Sequence, residues 1–552
     1  MATYNFATMT QTEASAITTS DNILVNNVAA NTASVVFVPA TPTTVASVNV
    51  TLGGKTLNFP TSALGGSNNV FVFADSSQLF VGSTAAESNT TGPGNDALFG
   101  YDGADTLSGG TGNNVLQGNA GGDSISGGTG NDTIYGGQDG DTISTSTGVN
   151  FAQGNKGADS ITGGTGNDTI LGGQDNDSIA GGGGVDFLNG NLGDDVVTGG
   201  SGNDTMFGED GADSLVGNGG ADTISGGAGA DTLTSAGIAG GGLAASLAGG
   251  DGADSLTLGN GGTANGNAGA DTVVGGTGAD SLFGGQDGDV LTGNGGADYL
   301  NGNAGDDTVT GGTGADTIFG EAGNDTITAD AGANSVDGGD GNDSITALGG
   351  NDTISGGAGD DVISVGDTAS ATGVNVGNGG SGNDSITGGT GIDNLSGGDG
   401  TDTLVGAAGT DTLNGGAGDD LINGGLAKDT MTGGDGVDTF VFDTAGGDSG
   451  LTAGAIDVIT DWTSSDILDF NLTAGSALSY TEITGPTTYD AALVAANNAF
   501  ATGAATLIYA AVQVGTDVVV FVDAGAAGAA ASDAVVLVGK TLADISETNI
   551  VV

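Results

Sequence analysis

An aspartate that returns every nine residues constrains this chain more than any other feature. From Gly94-Asn95-Asp96 the series runs Asp96, Asp105, Asn114, Asp123, Asp132, Asp141, Asn150, Asp159, Asp168, Asp177, Asp186, Asp195, Asp204, Asp213, Asp222 and Asp231. It breaks in the alanine-rich stretch after Leu233. It resumes as Asp271, Asp280, Asp289, Asp298, Asp307, Asp316, Asp325, Asn334, Asp343, Asp352 and Asp361. A second break falls near Gly366–Gly380, and the series closes with Asp384, Asp393, Asp402, Asp411, Asp420, Asp429 and Asp438. Two residues beyond each stands an apolar side chain, such as Leu98, Ile134, Ile170 or Leu215. Glycines fill the positions before it, as in Gly127-Gly128-Thr129-Gly130-Asn131-Asp132-Thr133-Ile134. A short fixed period sustained this long marks a solenoid, in which each repeat buries its apolar residue only against its neighbours.

The glycine-rich half of the repeat can take φ > 0 without a Cβ penalty, so it turns the chain and aims carbonyls inward. The Thr-Ile-x half reads as a three-residue strand with one apolar side chain inside. Two motifs then make a circuit, and residues 18 apart stack at about 4.8 Å. Asp96, Asn114, Asp132 and Asn150 fall in one column, and Asp105, Asp123, Asp141 and Asp159 in the opposite one. About 17 circuits would give a rod of about 80 Å. A longer period of 36 residues overlies this one: Leu116-Gln117-Gly118-Asn119 returns as Ala152-Gln153-Gly154-Asn155 and Leu188-Asn189-Gly190-Asn191.

Stacked carboxylates set the chemistry. Two of them about 5 Å apart repel by roughly 3 kcal/mol at an effective dielectric of about 20. Repeated along two columns, that exceeds a net stability of about 5–15 kcal/mol. One modest apolar side chain per motif is too little to offset it. A hard dication with oxygen ligands would neutralise the columns. Ca2+ takes carboxylates and carbonyls in irregular geometry, whereas Mg2+ demands a tighter octahedron and keeps its waters. Binding and folding then form one equilibrium, and the calcium-free chain is expected to be disordered. The alternative for a repeated Asp is a turn residue capping its own backbone, which needs no uniform nine-residue column.

The Gly-Gly-x-Gly-x-Asp-x-apolar-x pattern resembles that of the RTX (repeats-in-toxin) family. The resemblance implies an all-β fold, a long parallel β-roll binding many Ca2+ ions. In that family Asp side chains of successive circuits share Ca2+ with turn carbonyls, so every aspartate named above becomes a candidate ligand. Asn114, Asn150 and Asn334 keep a carbonyl oxygen but lose the charge, a departure from the pattern.

Composition narrows the function classes. With 67 acidic residues against Lys55, Lys156, Lys428 and Lys540, the formal net charge is −63. Such a surface repels nucleic acid and anionic lipid. Without His, Cys or Arg there is no Ser-His-Asp or Cys-His nucleophile, no zinc site of His or thiolate type, no disulfide and no guanidinium clamp. No enzyme activity is expected. No apolar run is long enough to span a membrane, and Met1-Ala2-Thr3-Tyr4-Asn5-Phe6 does not open a cleaved signal peptide.

Three regions are expected. Residues 1–90 read as a small β domain, either a cap or a surface anchor. Its strands include a hairpin of Val48–Leu52 and Lys55–Phe59 about Gly53-Gly54, and a pair at Val70–Phe73 and Leu79–Val81. Residues 91–440 form the roll, interrupted near 235–265 and 364–381. Residues 441–552 form a β-rich cap with a helix at Ala491–Phe500 and strands at Thr506–Val514, Asp517–Val522 and Ala534–Val538. Acids there, such as Asp457, Asp461, Asp466 and Asp469, would supply a last ion site or be solvated loop residues. The last residues resemble an uncleaved type I secretion signal, which would account for the missing leader. The resemblance is greatest to surface-layer (S-layer) RTX proteins. They imply an extracellular, cell-surface location, self-association into a lattice, export by the type I secretion machinery and contact with cell-surface polysaccharide. The alternative is an adhesin that forms no lattice. An ice-binding variant would need an unbroken threonine rank, but Thr111, Thr129, Thr147 and Thr165 are followed by Gly183 and Ser201.

Overall fold

The computed structural model describes residues 77–236, 244–366, 373–442, 454–471, 480–502, 509–523 and 531–551, with short elements between residues 3 and 73. The chain forms two compact units, Met1–Thr272 and Val273–Val552. Each is built mainly as a β solenoid of parallel strands.

In the first unit each motif contributes one strand, which pairs in parallel with the strand 18 residues further on. Two ladders result. The first ladder runs through Ala97–Asp102, Val115–Ala120, Thr133–Gln138, Phe151–Lys156 and onward to Thr223–Ala228. The second runs through Ser88–Thr90, Thr106–Ser108, Ser124–Thr129, Thr142–Thr147 and onward to Thr232–Ser235. Leu116 stands opposite Ile134 and Ile134 opposite Ala152, while Ile125 stands opposite Ile143. These residues are fully buried, because strand alternation sends every second side chain inward. The threonine rank stacks as counted, Thr147 on Thr165 and Thr165 on Gly183.

Most strands are longer than expected from the repeat. Ser124–Thr129 and Thr133–Gln138 each span six residues, so the Gly-Gly pair also joins the ladder. Because each circuit stacks in register on the last, the glycine backbone has a partner and its N–H and C=O groups are satisfied there. The second inward position is then a glycine, such as Gly118 or Gly136. A methyl group on Gly118 would collide with the Asp123 carboxylate and stand 2.7 Å from the Gly136 carbonyl oxygen.

After Leu233 the register steps by 23 residues instead of 18, so Thr223 pairs with Ser246 and Thr232 with Ser255. At the other end Ser34–Val38, Ser47–Leu52 and Lys55–Pro60 form an antiparallel sheet with Val50 opposite Leu57, both buried. The Gly53-Gly54 turn expected between the last two lies outside the described residues. Val70–Phe73 pairs antiparallel with Gln78–Val81, and Leu79–Val81 then pairs with the start of the first ladder.

The second unit repeats the arrangement. Its first ladder includes Ser281–Gln286, Tyr299–Ala304, Thr317–Ala322 and Ser335–Asp340. Its second includes Val290–Thr292, Thr308–Thr310, Thr326–Ala329 and Ser344–Ala347. Toward the end the single aliphatic of each motif gives way to aromatics. Phe442 stacks on Phe470 at 5.3 Å, and Trp462 lies 6.3 Å from Phe440. Parallel pairing then gives way to an antiparallel sheet of Tyr509–Val514, Asp517–Val522 and Asp533–Leu537. The helix Tyr489–Thr502 covers it, burying Ala492, Ala496 and Phe500 against Val512, Val519 and Phe521. The final strand, Ile550–Val551, pairs with Leu468 and Asp469. No helix among the described residues is long and apolar enough to cross a membrane.

Candidate cation sites in two carboxylate columns

The residue just before most strands of the roll is the repeat aspartate or its asparagine replacement. Every repeat aspartate named from the sequence between Asp96 and Asp438 is buried, and the 18-residue stacking sorts them into two columns per unit. Ahead of the first ladder stand Asp96, Asn114, Asp132, Asn150, Asp168, Asp186, Asp204 and Asp222 in the first unit. The second unit continues the same type with Asp280, Asp298, Asp316, Asn334 and Asp352, and then Asp393, Asp411 and Asp429. Ahead of the second ladder stand Asp105, Asp123, Asp141, Asp159, Asp177, Asp195, Asp213 and Asp231, with Asp271. In the second unit that column holds Asp289, Asp307, Asp325, Asp343, Asp361, Asp384, Asp402, Asp420 and Asp438.

One bond repeats down each column. The backbone N–H of a rung donates to Oδ1 of the rung one circuit later, as Asp123 does to Asp141 and Asp141 to Asp159, both at 2.7 Å. That satisfies one carboxylate oxygen. The other, Oδ2, is buried with no hydrogen-bond partner at Asp123, Asp132, Asp141, Asp159, Asp168 and Asp177. The same holds at Asp307, Asp325, Asp343, Asp361, Asp384 and Asp402. An orphaned buried oxygen that carries charge is among the costliest groups a fold can hold.

The electrostatics follow from this burial. Desolvation is the largest cause raising these carboxyls, ahead of repulsion between rungs, a contribution that the repeat spacing alone does not reveal. Burial pushes Asp141 up to about 8, with Asp123 and Asp159 adding to it and the backbone N–H bond opposing. Asp177 and Asp213 rise to about 7 for the same reasons. Asp168 and Asp204, in the column before the first ladder, rise to about 6. Each buried rung needs either a proton or a cation.

The asparagines show what Oδ2 faces. Asn114 accepts from Asp96 through Oδ1, as an aspartate would, and its Nδ2 donates to the carbonyls of Gly112 at 3.1 Å and Gly127 at 3.3 Å. Asn150 Nδ2 donates to Gly148 at 3.3 Å, and Asn334 Nδ2 to Asp330 at 3.3 Å. An amide nitrogen thus meets turn carbonyls at the place where an aspartate presents a bare oxygen. By the same stacking, an aspartate rung would turn its second carboxylate oxygen toward such carbonyls. Among the described residues no group of three or more acidic side chains converges, so a cation here would draw on carboxylate and carbonyl together. This hard, mixed oxygen set suits Ca2+.

Four rungs were missed or left open in the sequence. Asp254 joins the second-ladder column, accepting from Asp231 at 2.7 Å and donating to Asp271 at 2.8 Å. Asn375 accepts from Asp352 at 3.1 Å, and its Nδ2 donates to Val365 O at 2.9 Å and Asp393 Oδ1 at 3.0 Å. Asp457 accepts from Asp429 at 2.8 Å and Asp466 from Asp438 at 3.3 Å. Those two are buried rungs and not solvated loop acids. The local motif Gly249-Gly250-Asp251-Gly252-Ala253-Asp254-Ser255-Leu256 was the available signal for Asp254. The column before the first ladder lapses where Ala245 and Gly262 occupy the rung.

The family model for the RTX calcium-binding nonapeptide repeat (4 copies) matches the chain in overlapping segments that together span residues 90–237, 265–367 and 378–440, more than half of it. Asp254, Asp457 and Asp466 lie outside those segments. No curated protein matches the chain.

Proposed function

Because the chain belongs to the RTX calcium-binding nonapeptide-repeat family, which binds multiple Ca2+ ions, we propose that it is a secreted structural protein that calcium folds outside the cell and that then assembles with copies of itself into a bacterial surface layer. The observation that carries this reading is the extent of the columns. They run through both units, so cation binding serves the scaffold of the molecule and not one local site. In this reading the aspartates of both columns, with Asp254, Asp457 and Asp466, hold Ca2+ through Oδ2 and adjacent turn carbonyls.

A chain of charge −63 repels its own copies unless divalent ions lie between them. Exposed acids on the turns, among them Asp194, Asp306 and Asp360, offer such bridges, so assembly and folding share one requirement. Where calcium is scarce the columns stay apart, and the C-terminal tail is not yet paired with Leu468 and Asp469. That leaves it open to a type I export machinery. Cell-surface polysaccharide is the expected anchor. Negative-stain imaging of the calcium-loaded protein tests the proposal, with a regular two-dimensional lattice expected. Strictly monomeric protein at high concentration would replace the surface layer with the adhesin reading.

A further inference from the structure

The two outer faces of the first unit come from one repeat yet differ in chemistry. The second ladder turns mostly small hydroxyl residues outward, as in Thr106-Leu107-Ser108 and Ser124-Ile125-Ser126, with Ala180, Val196 and Val216 the aliphatic exceptions and no ring among them. The first ladder places Tyr135, Phe151, Phe187 and Phe207 at its outward positions. Ring pairs Tyr135–Phe151 and Phe187–Phe207 have centroids 5.6 Å apart. Cross-strand aromatic pairs stabilise a sheet modestly, but the second ladder, with the same backbone, does without them. The fold therefore does not require these rings, and half-exposed aromatics beside polar groups are typical of binding surfaces.

On this face lies a groove of about 550 Å³ lined by Tyr101, Gln117, Asn119, Tyr135 and Lys156, with Asp102 beside them. Gln117 Nε2 donates to Asn119 Oδ1 at 2.7 Å, which orients both amides. Carboxamides offer donors and acceptors together, which is what a row of hydroxyls requires. Tyr101 stands one circuit before Asn119 and Tyr135 one circuit after Gln117, so along the roll the two rings are two circuits, about 10 Å, apart, comparable to two β-linked pyranose rings laid in that direction. The single lysine and the aspartate offset each other's charge, and the field of the whole chain disfavours an anion.

We propose that this groove binds an extended, neutral, β-linked glycan chain, its sugar faces stacked on Tyr101 and Tyr135 and its hydroxyls held by Gln117 and Asn119. The inference does not depend on lattice formation, which imaging scores separately. Calorimetric titration of the calcium-loaded full chain with cellohexaose and chitohexaose, and with α-linked maltohexaose as control, tests it. At least one β-linked probe should bind and maltohexaose should not. Tyr135→Ala and Gln117→Ala should each weaken binding by about tenfold or more. Ser126→Ala on the opposite face should leave it unchanged, with the calcium-induced circular dichroism of all three variants retained. Failure of both β-linked probes to bind would overturn the proposal, as would equal binding by wild type and both groove variants.

Discussion

The two columns of each unit are made from one motif and one backbone, yet they are not equivalent. Ahead of the second ladder every rung is aspartate, from Asp105 to Asp271 and from Asp289 to Asp466. Ahead of the first ladder the run is relieved by Asn114 and Asn150 and lapses at Ala245 and Gly262 in one unit, and is relieved by Asn334 and Asn375 in the other. All four asparagines direct Nδ2 at a backbone carbonyl oxygen. They complete their rung with a neutral hydrogen bond where the aspartates leave an oxygen that needs a cation. The difference shows that the nine-residue period fixes the position of a rung but not its charge. In the proposed reading one column depends on metal throughout, and the other contains rungs that close without it.

The largest test of this contrast is pH in the absence of metal. Unfolded carboxyls titrate near 3.8, while the folded rungs are raised by burial to about 6–8. The folded form therefore binds protons more tightly. That stabilisation is fully present below about 3.8 and is lost as pH rises through about 6–8. In chelator, β structure should grow as pH falls from 8 toward 4, followed by circular dichroism. Rungs such as Asp141 and Asp177 should protonate before Asp168 and Asp204, which carbonyl-labelled NMR would resolve. Calcium affinity should fall over the same range, because proton and ion compete for Oδ2. Metal-free β content that is highest at alkaline pH would break the account.

Asp141→Ala should have the next largest effect. It removes an ion ligand and leaves the Asp123 N–H without its acceptor, so the calcium midpoint of folding should rise. In saturating calcium the loss should be about 2–4 kcal/mol, read from denaturant melts. Asn150→Asp runs the comparison backwards. In chelator it should destabilise by about 1–3 kcal/mol, the cost of a buried oxygen that trades a donor for a charge. Calcium should restore it, with one more ion bound per chain by equilibrium dialysis. Smallest is Asn131→Ala, in the exposed row where Asn131 Oδ1 accepts from Val149 N–H at 2.9 Å. Stability should drop by about 0.5–1 kcal/mol with calcium stoichiometry unchanged.

The roll was legible in the sequence because a solenoid writes its geometry as a period. Leu116, Ile134 and Ala152 had to stack once their aspartates did. Asp254 and Asn375 were not legible by counting, since each follows an insertion that turns a step of 18 into one of 23. Asp457 and Asp466 follow a longer step of 28. Only pairing across the gap shows that the column survives. The six-residue strands were underestimated because glycine carries no strand propensity of its own. Here it is held by register with glycines above and below. The Asn contacts were out of reach as well: the sequence shows a lost charge, whereas the geometry shows a gained donor.

The central claim is that this fold cannot keep its buried Oδ2 atoms charged without metal. The most direct measurement is far-ultraviolet circular dichroism of the metal-stripped chain near neutral pH and at low salt, followed through a calcium titration. The account predicts a coil-like spectrum at the start and a cooperative rise of β structure as ions bind. A compact, fully folded chain before any calcium is added would contradict it.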